Sequence, residues 1–260
     1  MSDIIASQAA ERETNQYRLP FHVIVGCVWA AATLQHRSFA QDARTALSGP
    51  CPPLELDGAE HVPVRGSALV ACNHYSRPGF DAWWIALAIS VAVAHNRAPG
   101  ADPEIHWLMT AAWTYPESPW RHRFVTPLTK WAFRRVAQVY GFIPMPAMPP
   151  DPEEVEERAR AVLATLRLAR QLVHTGGMIG LAPEGRDTPG GLGEPPKGAG
   201  RFIAHLVKVG LPVLPVAVSE SHGHLRVSFG PVFVPQIPPG GREQDRAVAR
   251  QVMRAIAAQL

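Results

Sequence analysis

Apolar positions along this chain fall into two alternating patterns. Short apolar or period-two runs at 54–56, 68–72, 178–182, 212–218 and 225–229 predict strands. Longer stretches with apolar residues three and four apart predict helices over 21–35, 36–48, 81–94, 198–209 and most of 107–140, the last punctuated at Pro116, Pro119 and Pro127. Asp151-Pro152-Glu153-Glu154 reads as a helix start, with Asp as cap, Pro in the first turn and acids facing the positive end of the dipole. Val155, Ala159, Val162, Leu166, Ala169 and Val173 continue that helix, and Gly176 stops it. Val248, Val252, Ile256 and Leu260 outline a closing helix. The breaker Gly49-Pro50-Cys51-Pro52-Pro53 divides an N-terminal helical segment, 1–50, from a main domain, 51–260. Strands alternating with helices place the main domain in the α/β class, as a layered mixed sheet flanked by helices and preceded by an N-terminal apolar helical segment.

Length and charge narrow the picture only slightly. A chain of 260 residues can bury a full core. Its formal charge of +3 suits an anionic partner such as a lipid surface, a phosphate or CoA, and equally suits ordinary solubility. Cys27, Cys51 and Cys72 show neither metal-ligand spacing nor an even disulfide set, which fits a reducing compartment. The apolar run from Val23 to Leu34 would make a helix of about 18 Å, short of the ~30 Å of a hydrocarbon core. It reads as monotopic or core-docking rather than spanning. Six of the seven Trp lie between 83 and 131, with Arg121, Arg123, Lys130, Arg134 and Arg135 close by. That mixture fits a peripheral membrane surface, and also fits a core beside one solvated basic helix face. No nucleic-acid motif accompanies it.

Two clusters carry candidate chemistry. In the first, Asn73-His74 follows the strand 68–72, and Asp81 comes a few residues later. An imidazole can take a proton from a hydroxyl near neutral pH, and a carboxylate can hold the ring in the tautomer this needs. Asp81 also reads as the cap of the helix that follows, and Pro78-Gly79 as a tight turn returning Asp81 towards the ring. Cys72 reads as a strand packing residue, and Ser76 lacks the Gly-x-Ser-x-Gly surroundings of an esterase nucleophile. The second cluster is Ala182-Pro183-Glu184-Gly185-Arg186-Asp187, followed by Lys197-Gly198 and the run Leu211–Val218. The Gly190–Gly193 stretch reads as a mobile loop or as a cradle of N–H groups for an anion.

In this order the clusters resemble the glycerolipid acyltransferases typified by lysophosphatidic acid acyltransferase. Asn73-His74 with Asp81 is similar to the family's Asn-His-x-x-x-x-Asp, lengthened by two residues. Pro183-Glu184-Gly185-Arg186 is similar to Pro-Glu-Gly-Thr-Arg without the Thr. Gly141–Pro146 only partly matches the family's Gly-x-Ile-Phe-Ile-x-Arg, and no Arg follows. The resemblance implies transfer of a fatty acyl group from acyl-CoA or acyl carrier protein, as co-substrate, to a lysophospholipid hydroxyl in phospholipid biosynthesis. Lysophosphatidic acid is the first acceptor it suggests. It implies His74 as general base with Asp81 as its relay. Glu184, Gly185, Arg186 and Lys197 would bind substrate, with no metal or organic cofactor. It also implies a peripheral or monotopic protein at the cytoplasmic face of a membrane. A non-catalytic lipid-binding relative and an acyl-thioester or ester hydrolase remain the alternatives.

Overall fold

A computed structural model describes residues 17–113, 115, 117–145, 155–189 and 191–260. Among these residues seven α-helices, α1 (Phe21–Thr33), α2 (Phe39–Leu47), α3 (Trp83–Asn96), α4 (Pro119–Tyr140), α5 (Val155–Thr175), α6 (Ala199–Val209) and α7 (Arg242–Ala257), surround a sheet. Its strands are β1 (Leu54–Asp57), β2 (Ala68–Cys72), β3 (Ile105–Thr110), β4 (Ile143–Met145), β5 (Met178–Leu181), β6 (Val213–Ser221) and β7 (His224–Phe229). They lie in the order β1-β7-β6-β2-β5-β3-β4. Among the described strands only the β6–β7 hairpin is antiparallel, so the sheet is mixed.

β2 lies inside the sheet, between β6 and β5, and all five of its residues are buried. Because successive side chains point to opposite faces, it feeds two cores. Ala68, Val70 and Cys72 join Ala43 and Ala46 of α2 and Trp84, Ile85, Ala88 and Ile89 of α3. Leu69 and Ala71 join Ala169 and Leu172 of α5, Ile203 and Leu206 of α6, and Val248, Val252 and Ile256 of α7. Helices thus cover both faces. α2 belongs to the first of these layers, although the breaker after it suggests a segment set apart. Asp42 on α2 ties it further, accepting from Arg37 Nε at 2.7 Å and from the Tyr140 hydroxyl of α4 at 2.7 Å.

One expected element differs. The reading of 107–140 as mostly helical gives way to β3 before α4. Ile105 and Trp107 are buried while His106 and Leu108 are partly exposed, a strand alternation that pairs with β5. The Trp107 ring lies so close over Gly180 of β5 that a side chain at 180 would overlap it. α4 starts only at Pro119, whose missing N–H costs nothing in a first turn. The helix start at Asp151–Glu154, together with Pro116, Pro146, Gly190 and residues 1–16, lies outside the described residues.

Candidate active site

β2, β5 and β6 run parallel, so their carboxyl ends open on the same edge of the sheet, where parallel α/β proteins hold ligands. Asn73 continues β2 by one residue with its side chain in place of a strand neighbour. Its Nδ2 donates to Val218 O at 2.9 Å, and its Oδ1 accepts from Val218 N–H at 2.9 Å. His74 follows directly. Its N–H donates to Glu184 Oε1 at 2.8 Å, and its carbonyl accepts from Thr188 N–H at 2.9 Å. A parallel bridge between Tyr75 and Thr188 extends this seam. The main chain of His74 is therefore held on both sides by the loop after β5.

Glu184 is the hub of that loop. Its side chain is buried, the residue being only 1 % exposed, and its Oε2 accepts from the Thr188 hydroxyl at 2.7 Å and from Gly193 N–H. Three donors offset the cost of burying a carboxylate there. The loop wraps so tightly that a side chain at Gly193 would overlap Thr188 and the Glu184 carboxylate. Glu184, expected to meet substrate, instead grips the backbone that presents His74. Gly185 takes a left-handed φ of 63° in the turn closed by its own N–H on Ala182 O. Arg186 and Lys197 are exposed and enter no ion pair among the described residues.

The Pro78-Gly79 turn forms. Arg77 and Phe80 exchange N–H···O bonds of 3.0 and 2.9 Å across it, with Gly79 at φ 82°. Its effect on Asp81 is not the expected one. Phe80 takes the buried position beneath Tyr75 and Tyr17, and Asp81 emerges exposed, its Oδ2 accepting from Trp83 Nε1 at 3.0 Å. Asp81 makes no ion pair with His74, and the cap position of α3 falls to Ala82. The carboxylate beside the ring is that of Asp187, with Oδ1 2.9 Å from His74 Nδ1. That nitrogen is buried, and its N–H direction lies off the line to Asp187, so the short contact is not yet a closed hydrogen bond. The His74 side chain as a whole is 29 % exposed, so its open part lies away from Nδ1.

Sequence reasoning also missed the brace behind this loop. Arg77 grips Glu220 of β6 with two bonds, Nε to Oε2 at 2.6 Å and Nη2 to Oε1 at 2.5 Å, and the Tyr17 hydroxyl donates to the same carboxylate at 2.9 Å. Burial and the Glu220 charge push the Tyr17 phenol well above its ordinary range, so it stays a donor. Nothing local in the sequence pairs residues 77 and 220. Cys72 is fully buried beside the site, and burial raises its thiol, which suits packing rather than nucleophilic work. Among the described residues no group of three or more His, Cys, Asp or Glu side chains is placed to hold a metal ion.

The family model named Acyltransferase matches residues 53–219, more than half of the chain, with His74, Glu184 and Asp187 inside the match. The chain belongs to the acyltransferase family. Among solved structures, it is similar to the 1-acyl-sn-glycerophosphate (LPA) acyltransferase PlsC from Thermotoga maritima. Identity is 17% over 85% of this chain and 78% of that one, with a TM-score of 0.46. Comparison with curated proteins gives no match.

Proposed function

We propose that this acyltransferase moves a fatty acyl group from acyl-CoA or acyl carrier protein to the hydroxyl of a lysophospholipid, lysophosphatidic acid first. The observation that carries the reading is the presentation of His74: its backbone is fixed at both N–H and carbonyl, one ring nitrogen is buried, and 29 % of the side chain is exposed. A hydroxyl is too weak a nucleophile near neutral pH, so the imidazole removes its proton as oxygen attacks the thioester carbonyl. The thioester is already activated, and the enzyme needs no covalent intermediate of its own. Exposed Arg186, next in the chain to Asp187, supplies cationic charge of the kind that pairs two-pronged with a phosphate, and Lys197 adds a point charge.

The proposal includes docking at the cytoplasmic face of a membrane, in peripheral or monotopic fashion. Phe21, Val25, Val28 and Trp29 of α1 and Trp120, Phe124, Leu128 and Trp131 of α4 are exposed, and they support such a surface. No described helix is long and apolar enough to cross a membrane.

The test is acyl-CoA-dependent thiol release with a panel of lysolipids. His74→Ala is expected to lower turnover by roughly 10²–10⁴-fold while its circular dichroism stays that of the parent. Undiminished turnover in that variant removes His74 as base. Free fatty acid released without an acceptor identifies a hydrolase, and lipid binding without turnover on any acceptor identifies a binding protein.

A further inference from the structure

We propose that Asp187, and not Asp81, is the carboxylate that orients His74 for proton transfer, an inference that rests on His74 being the base. Three observations converge on it. Nδ1 is buried and has no hydrogen-bond partner among the described residues, and the Asp187 oxygen 2.9 Å away is the carboxylate within ion-pair reach. The main-chain seam explains why they meet: Thr188 N–H bonds the His74 carbonyl and Thr188 bridges Tyr75, so the residue before Thr188 is delivered beside the ring. Glu184 locks the same seam from beneath by accepting the His74 N–H. Asp81, by contrast, is turned outward and bonded to the Trp83 indole.

The Asp187 side chain is 63 % exposed, so it has room for the small rotation that would bring its oxygen onto the N–H direction. A pair whose carboxylate is this exposed adds little to stability, so the role argued for is selection of a tautomer. With Nδ1–H directed at Asp187, the lone pair of Nε2 is left for the acceptor hydroxyl. As the acceptor oxygen bonds to the thioester carbon, its proton passes to Nε2. As the carbon–sulfur bond breaks, that proton passes on to the departing sulfur. Asp187 stays ionised opposite the transient imidazolium, and the imidazole ends neutral, ready for another cycle. In this chain, the loop after β5 would thus supply a carboxylate that the lengthened β2 loop has turned away.

The experiment uses the full chain with 15N-labelled histidine, comparing ring 15N spectra of the parent, His74→Ala (to assign the signals), Asp187→Asn, Asp187→Glu and Asp81→Asn. Thiol-release kinetics on acyl-CoA and a lysolipid accompany them. The parent is expected to hold His74 in the Nδ1–H form. Asp187→Asn is expected to lose that preference and to lower kcat roughly 10²-fold with KM little changed, a loss of transition-state stabilisation alone. Asp187→Glu should recover part of both, and Asp81→Asn should match the parent. A parent-like spectrum and kcat in Asp187→Asn, or the loss appearing in Asp81→Asn instead, overturns the assignment. The tautomer is read without turnover. A parent that transfers no acyl group to any acceptor, yet loses the Nδ1–H form in Asp187→Asn, keeps the Asp187 contact and defeats only the acyltransferase reading.

Discussion

Glu184 shows how a residue at the heart of a motif can act without touching substrate. Its two oxygens accept three hydrogen bonds, from His74 N–H, the Thr188 hydroxyl and Gly193 N–H, in a site closed to water. A carboxylate is all acceptor, whereas an amide of the same shape must turn an NH2 towards one set of those donors. Glu184→Gln is therefore expected to lose about 1–3 kcal/mol of stability, the usual cost of a buried donor left unpaired. Urea denaturation gives that loss directly, and kcat should fall with it because the His74 backbone loses its anchor. An exposed ligand-binding Glu would leave the denaturation midpoint unmoved. The sequence made His74 legible because Asn-His after an apolar strand is a local signal. Glu184 was visible as a motif member, but its burial depends on Thr188 and Gly193 folding back over it. Asp187 stands in the same cluster, yet only a seam between loops 110 residues apart reveals its neighbour.

At the scale of elements, β3 and the end of α4 are joined through one imidazole. His106 Nδ1–H donates to Gly141 O at 2.8 Å, and Gly141 ends α4 in the left-handed conformation that glycine tolerates best. Asp102, 3.8 Å from Nε2, is the main cause holding the His106 imidazolium above the ordinary histidine range; burial opposes it and the Gly141 carbonyl assists. A raised value in the folded state means that protonation favours folding. That contribution is complete below about pH 6.5, the unfolded value, and fades as pH rises through the folded one. Urea midpoints measured at about pH 6 and pH 8 should fall across the interval, and His106→Asn should flatten the difference contributed by this site. An unchanged slope in the variant would mean that other groups set it. These elements also mark where sequence reading slipped. A short strand with three half-buried positions, ahead of a run rich in helix formers, shows too little alternation to separate from the helix. The strands β2, β5 and β6, buried on both faces, declared themselves as continuous apolar runs.

On the scale of the whole molecule, exposed apolar side chains gather on α1 and α4, which pack together through Ala30, Val139 and Tyr140. On α4 the exposed Trp120, Phe124, Leu128 and Trp131 recur at spacings of a single helix face. Arg123 lies over Phe124 and Arg135 over Trp131, so cations stand beside aromatic rings at the same surface. Such a face suits the headgroup level of an anionic bilayer. Replacing Trp120, Phe124 and Trp131 together by Ser is expected to weaken co-sedimentation with anionic vesicles by at least about tenfold, the equivalent of only 1.4 kcal/mol. Thiol release from a soluble short-chain acyl donor to a water-soluble acceptor should be unaffected. Equal sedimentation of parent and variant would leave α1 or another surface as the contact.

The seam between His74 and Thr188 also governs when this protein can first become competent. The two residues sit 114 positions apart, and the Thr188 N–H and hydroxyl reach the His74 carbonyl only after β5 has been laid down beside β2. A nascent chain halted before Met178 would carry the histidine with nothing to hold it. Order at this ring arrives late in synthesis, and its amide should rank among the slowest to exchange with deuterium once folding is complete.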